Sequence, residues 1–242
     1  MAKGMFIGVG GKAHKVKKAY VGVGDKARKV KKAWIGVGGV ARLCFSGGEL
    51  SYYGTVTSLS QVRSSLSATT VGNYALFGGG MTTEWNDSGT NVVNAYNTSL
   101  TRTTPTVLSQ GRRQPVATTV GNYALFGGGY YRPGGTNYYT SVVDAYNTSL
   151  TRTTPTALSQ GRSELSATTV GNYALFGGGY GSGYSAVVDA YNTSLTRTTP
   201  TALSRARNSM AATTIGDYAL FGGGRYTFAS GMTSVVDVYQ VN

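Results

Sequence analysis

Four arginines stand at the same place in a repeated phrase: Arg63, Arg112, Arg162 and Arg207. If the repeats surround one axis, four guanidinium groups there could bind an anion or an acidic sugar through paired N–H donors. The competing reading has each one bonding the backbone of its neighbours. A second set, Arg102, Arg152 and Arg197, is expected in water on an outer rim. Asp144, Asp189 and Asp237 also recur at one position, which suits a structural role. Glycoside hydrolysis requires two carboxylates at a fixed separation, and only Glu84, Asp87 and Glu164 fall in the variable stretches. The single Cys44 allows no disulfide within the chain, and with the single His14 it excludes zinc or copper sites built from His and Cys clusters. Neither catalysis nor a cofactor is expected.

Binding is the chemistry better matched to these residues. Trp85, Tyr130, Tyr131, Arg132, Tyr138, Tyr139, Tyr180, Tyr184 and Tyr226 lie in stretches that differ between repeats, among Gly, Ser and Asn. Tyrosine rings offer large contact area at low entropic cost, while small polar neighbours adapt to a ligand. These nine residues are the candidate ligand-binding set.

Their positions depend on the phrase Gly-Asn-Tyr-Ala-Leu-Phe-Gly-Gly-Gly. It begins at Gly72, Gly121 and Gly171, and again at Gly216 with Asp217 in place of Asn, so a unit recurs every 45 to 50 residues. A fixed period of this length signals stacked copies of one supersecondary unit. The second unit reads as four strands, 117–120, 123–126, 142–146 and 151–158, rich in Thr, Val, Tyr and Phe and separated by Gly and Asn. The first and third connections are nearly constant between copies. Variation collects in the second connection and in the link that leads to the next unit, and alternating strand direction places both at one end of the sheets. Loops held on a rigid sheet scaffold are common binding sites; simple loop drift is the alternative.

The Gly-Gly pair after an aromatic-aliphatic strand, the Arg about five residues before the first strand, and the Tyr and turn after Val-Asp-Ala resemble the kelch repeat over residues 50–242. The Trp common near a kelch blade's last strand is absent. The resemblance implies a propeller of four-stranded blades, here four-bladed over residues 47–242. The last unit ends after its third strand, whereas 53–63 matches 152–162 position by position. The orphan fourth strand is therefore expected to pair with the C-terminal blade and close the ring, within one chain or by a swap between copies, leaving no open edge.

Residues 1–46 differ in kind. The formal net charge is +13, yet residues 1–45 hold eleven Lys and Arg against Asp25 alone, and no Lys follows Lys32. The runs starting at Ile7, Val21 and Ile35 repeat every 14 residues. They predict a small β meander with strands over 15–23 and 29–37 and turns at 10–11, 24–25 and 38–39. Lys15, Lys17, Lys18, Tyr20, Lys29, Lys31, Lys32 and Trp34 are its docking candidates. Phosphate neutralisation and stacking could serve nucleic acid, but docking on an acidic protein surface is the preferred reading. No apolar run of membrane-spanning length and no signal-peptide pattern occurs, so neither membrane insertion nor secretion by signal peptide is expected.

Basic repeats followed by a kelch-like head resemble bacteriophage or prophage virion proteins, of the tail or decoration kind. That resemblance implies assembly in the host cytoplasm, docking of residues 1–46 on other virion proteins, and a homo-oligomer. It also implies a variable face that binds a host-surface glycan or protein. A structural decoration protein without a ligand and an intracellular interaction propeller are the alternatives.

Overall fold

The structure is a computed structural model that describes residues 6–9, 12–16, 19–23, 26–30, 32–37, 40–46, 50–83, 89–228 and 231–241. It is all-β, with several separate antiparallel sheets, and falls into two compact units, residues 1–55 and 56–242. Among the described residues no helix is long and apolar enough to cross a membrane.

Among the described residues the first unit contains three antiparallel strand pairs. Phe6–Val9 pairs with Lys12–Lys15, Ala19–Val23 with Lys26–Val30, and Lys32–Val37 with Val40–Ser46. The strand expected over 15–23 is thus divided between two hairpins, and the one expected over 29–37 likewise, because each Lys-rich run joins two hairpins. The turns expected at 10–11, 24–25 and 38–39 lie outside the described residues.

The second unit is built from four main sheets, besides a two-stranded hairpin in one loop. Sheet I comprises Ser67–Val71, Tyr74–Gly78, Val93–Asn97 and Arg102–Thr103. Sheet II comprises Val116–Val120, Tyr123–Gly127, Val143–Asn147 and Arg152–Thr153. Sheet III comprises Ser166–Val170, Tyr173–Gly177, Val188–Asn192 and Arg197–Thr198. Sheet IV holds three strands, Ala211–Ile215, Tyr218–Gly222 and Val236–Gln240. In each, consecutive strands are neighbours and antiparallel. The first turn is tight because Gly72, Gly121, Gly171 and Gly216 adopt φ of 52° to 55°, a conformation open to glycine at no steric cost. Fourth strands are two residues long rather than eight. Pro105, Pro155 and Pro200 follow shortly after them, and proline cannot donate to a ladder.

The sheets pack face to face in chain order, first strand against first strand. Alternation along each strand explains the packing. Val71, Leu76, Val93 and Ala95 of sheet I meet Ala124, Phe126 and Tyr146 of sheet II in one buried cluster. Equivalent clusters join II to III and III to IV. Each junction depends on a missing side chain: a Cβ added to Gly78, Gly127 or Gly177 would lie 2.7 to 2.8 Å from the ring of Phe126, Phe176 or Phe221. Threonine hydroxyls bond across the same junctions, Thr69 to Thr119 at 2.8 Å, Thr118 to Thr169 at 2.7 Å and Thr168 to Thr214 at 2.8 Å.

The stretch expected to complete the last sheet bonds elsewhere. The stretch 57–63 lies against sheet I, where Tyr96 donates to the Thr57 carbonyl at 2.7 Å and Arg63 reaches Phe77 O and Asn94. This repeats what the linkers do further on: Tyr146, Tyr191 and Tyr239 donate to Thr106, Thr156 and Thr201 carbonyls. Tyr53 and Gly54 belong to no strand.

Candidate functional site

The repeated arginines are held inside the sheets. Arg112, Arg162 and Arg207 are 0% exposed. Each donates to the carbonyl of the second-strand Phe, at 3.0 to 3.1 Å. Each also meets the third-strand Asp: Arg112–Asp144 2.8 Å, Arg162–Asp189 2.7 Å, Arg207–Asp237 2.8 Å. Two of the outer arginines share these acids, Arg152 at 3.2 Å from Asp144 and Arg197 at 2.7 Å from Asp189, and Arg102 donates to the Ser58 carbonyl, so the three are partly buried and partnered rather than solvated rim residues. Burial lowers the pKa of Arg112 and Arg162 against the opposing pull of their aspartates. These guanidinium groups serve the backbone and the aspartates, and the buried ones have no access to an external anion. Arg63 differs: Asn94 stands where the others have Asp, and Arg63 is only partly buried.

The variable loops do meet at one end of the sheets. Short antiparallel bridges tie the linker before each first strand to the start of the second connection: Ser64 to Met81, Arg113 to Tyr130, Ser163 to Tyr180 and Asn208 to Arg225. Sheet II's loop forms a small hairpin in which Tyr130 faces Tyr139 and Tyr131 faces Tyr138. The Tyr131 and Tyr138 rings stack at 5.4 Å with 18° between planes.

Rings from three sheets then join. Tyr139 of sheet II's loop meets Tyr180 of sheet III's edge-on at 5.8 Å. Tyr180 contacts Tyr184 at 5.3 Å and Phe228 of sheet IV's loop at 5.4 Å. Tyr184 and Phe228 are 5.4 Å apart. Phe228 is 73% exposed and Tyr138 48%, whereas Tyr130, Tyr131, Tyr139, Tyr180 and Tyr184 are half-buried. Burial raises the pKa of the Tyr139 phenol, with the neighbouring Asn137 acting in the opposite direction. Tyr226 stands apart, with the Arg205 guanidinium 4.2 Å above its ring. Arg132 turns back to donate to the Gly135 carbonyl at 2.8 Å. Trp85, Glu84 and Asp87 lie outside the described residues.

A recess of mixed polar and apolar lining completes the same end. It is lined by Ser65, Gln114, Glu164 and Ser209, one from each linker, together with Leu66, Pro115 and Leu165. All four polar residues have φ between 49° and 53°, a region sparsely used by side chains other than Gly, Asn and Asp. Glu164 accepts bonds from Asn208 at 2.6 Å and Ser209 at 2.9 Å.

Of the nine candidates from sequence, six come into the aromatic array that runs from Tyr130 through Tyr139, Tyr180 and Tyr184 to Phe228, or stack beside it, as Tyr131 and Tyr138 do. Phe228 and Arg205 were not among the sequence candidates. A large apolar residue in a Gly- and Ser-rich loop was the available signal for Phe228; nothing local marks Arg205. In the first unit Tyr20 is 59% exposed and pairs across its hairpin with Lys29. Lys15, Lys29, Lys32 and Trp34 lie in strands, and Lys17, Lys18 and Lys31 lie outside the described residues. No protein-family model matches the chain, and no curated protein matches it.

Proposed function

We propose that the chain is a non-enzymatic binding protein of the displayed kind found on phage particles. Its second unit is the head, a kelch-like propeller whose four sheets are blades and whose loop end takes a host-surface glycan or protein. Its first unit is the basic anchor that docks on other virion proteins. The observation that carries this reading is the array of rings contributed by the loops of three sheets, beside a recess of mixed polar and apolar lining at the same end. Aromatic faces cover the apolar C–H surfaces of a sugar ring, and the phenol O–H groups with Gln114, Glu164 and Ser209 can bond its hydroxyls.

The test is adhesion of the full chain to whole bacterial cells and to a panel of their surface polysaccharides, beside Tyr180→Ala and Phe228→Ala. Loss of binding by about 1.4 to 2.8 kcal/mol, roughly ten- to a hundredfold, at an unchanged denaturation midpoint supports the loop face as the binding site. Equal binding by all three forms, or none by any, rejects it. Removal of cell-surface protein by protease separates a glycan from a protein receptor.

A further inference from the structure

The four sheets leave two faces uncovered, and these faces are unlike. On sheet IV the side that sheets I, II and III each turn toward their successor is open: Ile215 is 70% exposed, Val236 53% and Val238 54%. Their counterparts Val71, Val93 and Ala95 on sheet I are buried, as are those of sheets II and III. On sheet I the opposite side is open. Phe77 and Ala75 are partly exposed there, whereas Phe126, Phe176, Phe221 and their alanines are fully buried.

The parts of the missing junction can be named one by one. Gly222 is the counterpart of Gly78, Gly127 and Gly177, yet a Cβ on it would meet only Val236, at 3.6 Å. Its absent neighbour is a phenylalanine ring, and Phe77 is the one second-strand Phe with no glycine against it. Gly80, Gly129 and Gly179 donate to the carbonyls of Arg112, Arg162 and Arg207 at 2.9 to 3.0 Å; Gly224 and the Arg63 carbonyl hold the corresponding places. Thr213 and Thr70, both exposed, are the unused ends of the threonine series. Gly72 and Gly121 sit against Thr148 and Thr193, while Gly216 has nothing within 4 Å.

We infer that the front of sheet IV and the back of sheet I are the two halves of one interface, and that a second copy of this chain completes it, head to tail. The occupant is outside the chain because its own sheet I does not cover sheet IV. It is another copy because three internal junctions show which residues this face accepts, and only sheet I presents them unused. Such heterologous contacts join chains into closed rings where the rotation permits. This goes beyond the binding role proposed above, since it depends on none of the loop residues.

The interface can be tested with full-length chains carrying Cys44→Ser and one new cysteine each, Thr70→Cys in one and Thr213→Cys in the other. Mixed under mild oxidation they should form a disulfide-linked dimer, and neither alone should do so to the same extent. Sedimentation of the unaltered chain should give a mass at least twice 25.3 kDa. Gly222→Leu should reduce that to the single-chain mass, because the new side chain has room within its own fold and blocks only the incoming Phe77; its unfolding transition reports that the fold is intact. A folded Gly222→Leu chain of unchanged oligomeric mass overturns the inference. So does an unaltered chain that sediments as a monomer, or a Thr70→Cys/Thr213→Cys double variant that cross-links only within itself.

Discussion

Asp189 gathers more polar partners than any side chain around it: Arg162, Arg197, and the backbone N–H and hydroxyl of Ser159. Such a pair adds little over an apolar replacement, but removing one member strands a buried charge. Asp189→Asn keeps the shape and removes the charge, so two guanidinium groups lose their partner. Stability should fall by about 3 to 5 kcal/mol, read from the denaturant midpoint. The matching exchange at sheet I, Asn94→Asp, supplies Arg63 with the acid its counterparts have, and should leave the midpoint unchanged or higher. Asp237 adds a pH dependence. Burial would raise its pKa, but the bonds from Ser204 and Arg207 outweigh burial and lower it. A depressed folded-state pKa contributes stability that is present above the unfolded value, about 3.9, and lost as pH falls through the folded one. Acid unfolding of Asp237→Asn should accordingly be less steep below about pH 4. At the other extreme Tyr239 is pushed up to about 12 by burial and the nearby Asp237. Its contribution is fully present below about pH 10, the ordinary phenol value, and is lost as pH rises toward the folded value. Phenolate absorbance should show Tyr239 ionising late, a phase absent from Tyr239→Phe.

At the scale of elements, the stacking of sheets rests on glycine against phenylalanine. Gly127→Ala places a methyl group 2.8 Å from the Phe176 ring, closer than any side chain tolerates, so the sheets must separate or the ring must leave its rotamer. Overpacking of this kind costs about 1 to 3 kcal/mol, and thermal unfolding of Gly127→Ala should record it. These sheets were largely legible beforehand because each strand carries its own alternation of apolar and polar residues, and Gly-Asn fixes the first turn. Val116–Val120 and Tyr123–Gly127 differ from the expected strands by one residue at an end. The fourth strand is shorter than its Thr content suggests, because Pro155 ends the ladder after Thr153. The aromatic array was legible as composition but not as geometry. Which rings meet depends on loops from different sheets, and Phe228 approaches Tyr184 only through the stacking of sheet IV on sheet III. The arginines were the opposite case: their register was plain, but whether they faced a channel or the interior depended on the Asp opposite, a pairing across strands that periodicity does not reveal.

For the whole molecule the governing asymmetry is charge. The first 45 residues carry eleven Lys and Arg against one Asp, while the remainder carries eleven Arg against eight acids. At least five of those eleven are committed to aspartates in buried or partly buried pairs. The second unit therefore carries little net charge with which to attract a partner, and aromatic rings gather in its loops. The anchoring proposed for the basic unit rests on Coulomb attraction, which is screened as the Debye length shrinks from about 30 Å at 0.01 M salt to about 3 Å at 1 M. Stacking of rings on a sugar and burial of apolar surface carry no comparable dependence. The two proposed roles should consequently separate in one titration of the full chain. Capture on an acidic protein surface should weaken steadily with added salt and be reduced by Lys29→Ala with Lys32→Ala. Adhesion through the loop end should persist at high salt and be reduced by Phe228→Ala alone. If both activities fell together with salt, the basic strands would be the ligand-binding surface, and the aromatic array would have to be reassigned to holding the loops of neighbouring sheets in place.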